Sequence, residues 1–436
     1  MKRSSFLTVL LITPLLFTAC WGPVSGNLGE NAAVGDYPGS GVPRESENDE
    51  LRNLSEPFEF DTLLPVVVEI QVYPTDGAGT QLPADSTSVV VSLTDSNQRE
   101  LFRGSADASG FFLETIPLPG ALEDITVSIF APGFETRSFV VENMVRYALV
   151  SRSLILKTED GAIGASGIPG LVDSDGDEIP DVYDAFPQDK RRAFRNRIPA
   201  TGWLTVAFED NFPGLGDGDF NDFVARYQVV EVRNGKNQLT EITGTVDAIA
   251  RVAGYDHRFG LIIGHPKRSS KITVTRYNSS GSKLESFGSS GQSYSNIVAF
   301  ESTQASFDRP GSSVTVDNGY PDRLDSEGYR STFRITLSRG FVKEDPVVGK
   351  PKEHKAEAQK QQAKRKYLAD TPPYDPYLYV HDTGYDVHLI GMNSLAASNN
   401  PKGSDGFRDG NGFPRALLVP VDWGYPIELH HIKDAY

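Results

Sequence analysis

The chain has 436 residues, which at ~150 residues per domain corresponds to roughly two or three domains. Hydrophobic residues make up 39% and charged residues 23%, which is enough to bury cores and excludes a wholly disordered acidic chain. Asp and Glu number 58 against 42 Lys and Arg, a net charge of −16 that excludes a general nucleic-acid binder, because neutralising phosphates needs a basic face.

The N-terminal residues 1–19 have the layout of a signal peptide. Lys2 and Arg3 form a positive start, and an apolar stretch from Phe6 to Phe17 follows, broken only by Thr8, Thr13 and Pro14. The stretch is shorter than the ~20 residues a membrane-spanning helix needs. Cys20 is the only cysteine, so an intramolecular disulfide and a cysteine-based zinc or iron–sulfur site are excluded. Phe17-Thr18-Ala19-Cys20 resembles a bacterial lipobox, with Phe17 where Leu is usual. The resemblance implies cleavage before Cys20 and acylation of that residue, hence a lipid anchor in a bacterial membrane. Trp21, rather than Asp, after the cysteine implies the outer membrane, on either its periplasmic face or the cell surface. Without Lys2 and Arg3, 40 basic residues face 58 acidic ones, and the net charge becomes −18.

Residues 20–59 are rich in Gly, Pro, Ser, Asn and Glu with no apolar period, and read as a flexible tether. Residues 60–158 alternate short apolar runs with turn signals. The runs are Val66 to Val72, Val89 to Leu93, Ile125 to Ile129, Phe139 to Val141 and Ser153 to Leu156, which predicts a small β-sandwich. Asp107 to Phe112 followed by Ile125 to Phe134 resembles the transthyretin-like, carboxypeptidase-regulatory-like sandwich, whose modules are structural or binding spacers.

Residues 159–198 are a linker carrying an acidic loop. Residues 199–436 again look β-rich, with candidate strands Trp203 to Phe208, Phe223 to Val232, Ile242 to Arg251, Leu261 to Ile263, Lys271 to Tyr277, Thr332 to Ser338, Tyr377 to Val380, Val387 to Leu389 and Ala416 to Val421. This is the pattern of a larger, jelly-roll-like sandwich, so the fold class expected is all-β throughout. Lys350 to Tyr367 departs from it: Ala, Gln, Lys and Glu with almost no apolar face read as an exposed, solvated excursion.

In the linker, Asp173, Asp175, Asp177, Asp181 and Asp184 place carboxylates at positions 1, 3, 5, 9 and 12 of a twelve-residue loop, with the Ile179 carbonyl at position 7. Ca²⁺ takes six to eight hard oxygen ligands at about 2.3–2.6 Å, and a tightly wound loop turns alternate side chains to one centre. The apolar Ile179 side chain packs away from that centre. Glycine at position 4 (Gly176), Asp184 in place of Glu, and the lack of a flanking helical pattern all depart from an EF-hand. With Pro187 following, the segment instead resembles a single thrombospondin type 3 repeat, with Phe186 at the usual cysteine. The expectation is a calcium-rigidified joint between two β domains.

A second acidic cluster runs from Glu209 to Asp222. Glu209 and Asp210 end a strand, Asp217, Asp219 and Asn221 are spaced by two, and Asp222 follows, with Gly214, Gly216 and Gly218 between. These six side chains are a candidate second hard-cation site, giving one or two Ca²⁺ in all. The alternative is a set of turn-capping contacts in a glycine-rich hairpin. The motif from Phe208 to Val224, directly after the thrombospondin-type loop, resembles the signature of the LruC-domain family of bacterial lipoproteins. Pro372 to Tyr377, Gly384 to Leu389 and Pro414 to Pro420 extend the resemblance over roughly 172–436, with Asp375, Asp386 and Arg415 departing from the common residues. The resemblance implies an extracytoplasmic lipoprotein without established enzymatic activity, and a domain continuing a few residues past Tyr436.

No Gly-x-Ser-x-Gly elbow, His-Glu-x-x-His, Walker loop or cysteine nucleophile is present. His381, Asp382, Asp386 and His388 could approach a metal, although such histidines are more often core or surface residues. The reading is a non-catalytic, lipid-anchored envelope protein for binding or adhesion, with a glycan or protein ligand at the cell surface and no nucleic acid. The alternative is a carbohydrate-binding or glycosidase-like protein using carboxylates of 209–222.

Overall fold

The computed structural model describes residues 63–159, 172–263, 270–316, 324–341, 374–390, 407–408, 413–419, 424 and 431–432, apart from short gaps at 77, 84–86, 121, 143, 145–148, 215 and 293–294. Cys20, the tether, the glycine-rich start of the linker and the Lys350–Tyr367 excursion lie outside the described residues. Every named element is a strand. The first seven are β1 (Leu63–Thr75), β2 (Val90–Asp95), β3 (Glu100–Ser105), β4 (Phe111–Pro119), β5 (Asp124–Phe130), β6 (Arg137–Glu142) and β7 (Leu149–Lys157). They form a three-stranded sheet, order β4-β1-β7, and a four-stranded sheet, order β3-β2-β5-β6. Inward residues alternate along β5 in a buried and half-buried pattern, as one covered face requires. Val66 and Ile70 of one sheet meet Leu93 and Val127 of the other in a shared apolar core.

The second unit contains β8 (Phe194–Ile198), β9 (Leu204–Phe208), β10 (Phe223–Arg233), β11 (Leu239–Val252), β12 (His257–Ile263), β13 (Ser270–Tyr277), β14 (Lys283–Gln292), β15 (Ser295–Phe300), β16 (Ser313–Thr315), β17 (Leu324–Asp325), β18 (Arg330–Phe341), β19 (Tyr374–Val380), β20 (Asp386–His388) and β21 (Ala416–Val419). Ten strands build one sheet along the path β14-β13-β18-β11-β10-β9-β21, with β8, β16 and β17 beside it, and β15-β12-β19-β20 form a second sheet. Tyr227, Val246 and Ile335 of the large sheet pack on Phe259, Leu261 and Leu378 of the small one. The structure is therefore all-β. Strands β3, β4, β8 and β14–β17 were not among the sequence-predicted runs; β14 (KLESFGSSGQ) has no apolar alternation to announce it.

Strand β9 is buried along its whole length. One face joins the main core, while Ala207 on the other is covered by Phe220, Leu417 and Ile432. This second layer folds the 209–222 loop back onto the sheet. The two β units also touch. The buried Arg233 forms ion pairs with Glu231 of its own strand and Glu114 of β4, and the Asn237 side-chain amide donates to the same Glu114 carboxylate at 3.0 Å. Asn196 of β8 bonds the Arg103 backbone of β3 through both its oxygen and its nitrogen. Ile179, Ala193 and Phe194 close a small apolar cluster with Val90 of the first unit.

Candidate functional site

The two acidic loops fold in different ways. In the first, ligand atoms of Asp173, Asp175 and Asp177 all lie within 4.8 Å of one another. Backbone N–H groups hold the loop: Gly176 and Glu178 donate to the two Asp173 oxygens at 2.8 and 3.0 Å, Asp177 donates to Asp175 Oδ1, Ile179 to Asp177 Oδ1 and Phe186 to Asp184 Oδ1. Asp181 is occupied by Ser174, accepting from its N–H at 2.8 Å and its hydroxyl at 2.7 Å. The winding requires left-handed backbone at Gly176 (φ 73°) and at Glu178 (φ 79°). The Ile179 side chain is buried in the apolar cluster between the two β units.

These bonds leave one oxygen of each of three carboxylates without a partner. Asp175 Oδ2, Asp177 Oδ2 and Asp184 Oδ2 are all shielded from solvent and unbonded, and Asp184 as a residue is only 9% exposed. Burial, then the charges of Asp175, Asp173 and Glu178, pushes the Asp177 carboxyl up to about 6. Burial and the charges of Asp177, Asp175 and Asp181 push Asp184 up to about 7. A buried carboxylate oxygen without a donor is costly; Asp175 and Asp177 belong with Asp173 to the converging group, and Asp184 lies near enough to feel the charges of Asp177 and Asp175. The site also abuts the β10–β11 turn, where a Cβ on Gly235 would stand 2.6 Å from the Asp177 carbonyl oxygen.

The second loop divides its carboxylates between two destinations. Glu209, Asp217 and Asp219 bring ligand atoms within 4.8 Å of one another. Glu209 and Asp219 are fully buried. Glu209 already accepts the Phe220 N–H at 2.6 Å and the Gly218 N–H at 3.1 Å, and the Arg415 guanidinium beside it lowers its proton affinity further. Burial, aided by the Asp217 charge, outweighs these and holds the Glu209 carboxyl at about 7. Gly218 adopts φ 77°, and any Cβ there would collide with the His431 ring at 2.4 Å.

Asp210 and Asp222 make other contacts, although Asp222 stays close enough to Glu209 and Asp219 to feel their charges. Asp222 accepts the Asp210 N–H at 2.7 Å. Asp210 Oδ2 meets His257 Nε2 at 2.8 Å, and His257 Nδ1 meets the Thr303 hydroxyl at 3.0 Å. Arg251 donates to the same hydroxyl at 3.3 Å. Burial, reinforced by the Asp210 and Glu209 charges, raises Asp222 well above the carboxylate range. Asn221 donates its N–H to Asp219 Oδ1 at 3.3 Å, and its carbonyl accepts from Val252. His257, Thr303, Arg251 and Arg415 were not anticipated. Each lies far along the chain from the loop, and no local spacing signals it.

The histidine group suggested by the sequence also separates. His388 is buried between Asp375 (Nδ1 to Oδ2, 2.7 Å) and Asp386 (Nε2 to Oδ2, 3.0 Å), and its ring stacks on Tyr377. Burial lowers its proton affinity, but the two carboxylates more than reverse this and hold it at about 9. His381 instead sits on the surface, 2.9 Å from the Glu301 carbonyl. This is a buried ion-paired histidine, and the four groups do not converge on one centre.

Residues 237–436 match the family model "Domain of unknown function (DUF4842)". The match starts in the β10–β11 turn, so both acidic loops lie before it. The motif-based likeness to LruC-domain proteins remains a resemblance. No curated protein matches the chain. Among solved structures, the chain is similar to a protein described as a "Putative lipoprotein from Bacteroides ovatus", at 14% identity and a TM-score of 0.44, covering 80% of this chain and 92% of that one. It is also similar to a structure described as showing promiscuous specificity of carbohydrate-binding modules from the β-sandwich superfamily, at 10% identity and a TM-score of 0.14, covering 58% of this chain and 79% of that one. Overlap this partial carries no argument about the ligand.

Proposed function

We propose that this chain is a non-catalytic binding module of the bacterial envelope, anchored through Cys20 and stiffened by Ca²⁺ in the loop 173–184. The observation that carries the calcium reading is the set of three shielded, unbonded carboxylate oxygens on Asp175, Asp177 and Asp184. Hard anionic oxygens with no nitrogen or sulfur donor nearby suit Ca²⁺. Asp173, Asp175, Asp177 and Asp184 would hold the ion, with Asp181 and the Ile179 carbonyl completing the set. Because the loop packs through Ile179 against Val90 and Phe194, an ion there would lock the joint between the two β units. The ion would stabilise the folded chain by binding it in preference to the unfolded one.

The 209–222 loop supports a weaker version of the same reading. Glu209, Asp217 and Asp219 converge, while backbone donors and Arg415 already supply much of the compensation a cation would give. The carbohydrate-active alternative gains no support from this loop. An acid/base pair must flank a sugar, and Glu209 and Asp219 are fully buried. Thermal melting of metal-free protein with Ca²⁺ and with EDTA tests the calcium reading; equal midpoints would sink it. Metabolic labelling with a fatty acid, lost in Cys20→Ser, tests the anchor.

A further inference from the structure

The outward face of the ten-stranded sheet runs against the charge of the rest of the molecule. An open groove of about 740 Å³ crosses β8, β10, β11, β18 and β13. Its cations are Arg195, Arg197, Lys271 and Arg334. Only Arg334 has an acidic partner, Glu241 at 2.6 Å. Arg197 spends its hydrogen bonds on neutral acceptors, the Gln228 side chain and the Gly202 carbonyl. Arg195 and Lys271 are exposed and have no ion-pair partner among the described residues. A chain of net charge −16 thus gathers three uncompensated cations on one sheet face.

The register sets how they are spaced. Arg197 pairs with Val230, Val230 with Thr243, Thr243 with Arg334 and Arg334 with Thr273, in one row across the sheet. At about 4.8 Å between neighbouring strands, Arg197 and Arg334 stand roughly 14 Å apart. The next row is Gln228, Thr245, Thr332 and Thr275. With Thr336, which pairs with Lys271, six threonines line the groove. β-Branched residues suit a pleated surface, but threonine at so many outward positions also lays out a flat field of hydroxyl donors and acceptors.

We infer that this face binds an acidic polysaccharide, its carboxylate or sulfate groups meeting Arg195, Arg197 and Lys271 and its hydroxyls meeting the threonine rows. The inference rests on reading the chain as an envelope binding module and gives that module a ligand class. Arg195 and Arg197 are neighbours on one face of β8, while Lys271 ends the row Arg195, Val232, Glu241, Thr336, Lys271, four strand steps or roughly 19 Å away, so one small anion cannot join all three, whereas a polymer with repeated acidic groups reaches them. The groove floor offers no exposed aromatic platform of the kind single-stranded nucleic acids stack on, and no apolar anchor of the kind protein partners fill. Duplex phosphates, about one charge per 1.7 Å, would meet the acidic remainder of the surface.

The test is affinity electrophoresis of the full chain in detergent, with polygalacturonate, dextran sulfate, neutral dextran or duplex DNA as the probe. Retardation by polygalacturonate or dextran sulfate and not by neutral dextran is expected; which of the two acts separates a carboxylate from a sulfate ligand. R195E/K271E should weaken the retardation about tenfold, equivalent to about 1.4 kcal/mol. T243V/T273V, which keeps the β-branched shape, should also weaken it. No retardation by either acidic polymer, retardation unchanged in both variants, or equal binding of duplex DNA would overturn the inference. The calcium-dependent melting shift of the same variants is read in parallel. Its absence with polymer binding intact rejects the calcium reading alone, and its presence without polymer binding rejects only this inference.

Discussion

The loops 173–184 and 209–222 both concentrate carboxylates, six in twelve residues and five in fourteen, and answer the same electrostatic problem differently. The first uses backbone N–H groups on one oxygen of Asp175, Asp177 and Asp184 and leaves the other oxygen of each unbonded. The second sends Asp210 to His257, uses Asp222 to cap the Asp210 N–H, and sets Arg415 beside Glu209. The difference teaches that carboxylate density alone does not define a cation site. What differs is the kind of compensation: the first loop relies on backbone donors and leaves three buried oxygens unbonded, whereas the second adds a histidine and an arginine, although burial still holds Glu209 at about 7 and raises Asp222.

The largest expected effect lies in the internally compensated region. His257→Ala removes the partner of a buried carboxylate and should cost about 3–5 kcal/mol, by the same amount in Ca²⁺ and in EDTA. Urea denaturation in both buffers measures it, and a calcium-dependent loss would erase the contrast between the loops. Next comes calcium removal from the unaltered chain. At free Ca²⁺ of about 100 times the dissociation constant, the ion should add about 2.7 kcal/mol, and Asp175→Ala should abolish the gain. If Asp217→Ala abolishes it instead, the ion belongs to the second loop.

A pH series extends the comparison to His388, another buried group compensated from within. Its folded value of about 9 lies above the ordinary 6.5, so the protonated form is the one the fold favours. Its contribution is complete below about pH 6.5 and is lost as pH rises towards 9, by an amount on the order of 3 kcal/mol. Stability should therefore fall between pH 6.5 and 9 in the native chain and fall less in His388→Phe; parallel profiles would remove the assignment. The smallest effect is expected from Asp184→Asn in EDTA. Relief of repulsion from Asp177 and Asp175 should raise stability by about 1 kcal/mol or less while cancelling the calcium response. A large loss in EDTA would show that the Asp184 carboxylate is already satisfied without an ion.

The parts of this molecule that the sequence announced are those built from near neighbours. Apolar alternation marks β5 because it has one covered face, continuous apolar runs mark β2 and the start of β1 because both their faces are covered, and the 1-3-5-9-12 spacing marks the first loop because it lies within twelve residues. The polar β14 gave no such signal, since its place is decided by pairing with β13. The Asp210–His257–Thr303 chain gave none either, as it joins three segments separated by tens of residues.

Composition and local spacing determined by themselves that this is an all-β, strongly acidic chain with two clusters of carboxylates. Only the tertiary structure decided which carboxylates meet a histidine, an arginine or nothing, because burial and partner choice depend on strands brought together across the sheets. It also decided where the cations go. Net charge is a sum over the whole surface, while a sheet's register can collect Arg195, Arg197 and Lys271 on one face of a molecule that is negative elsewhere.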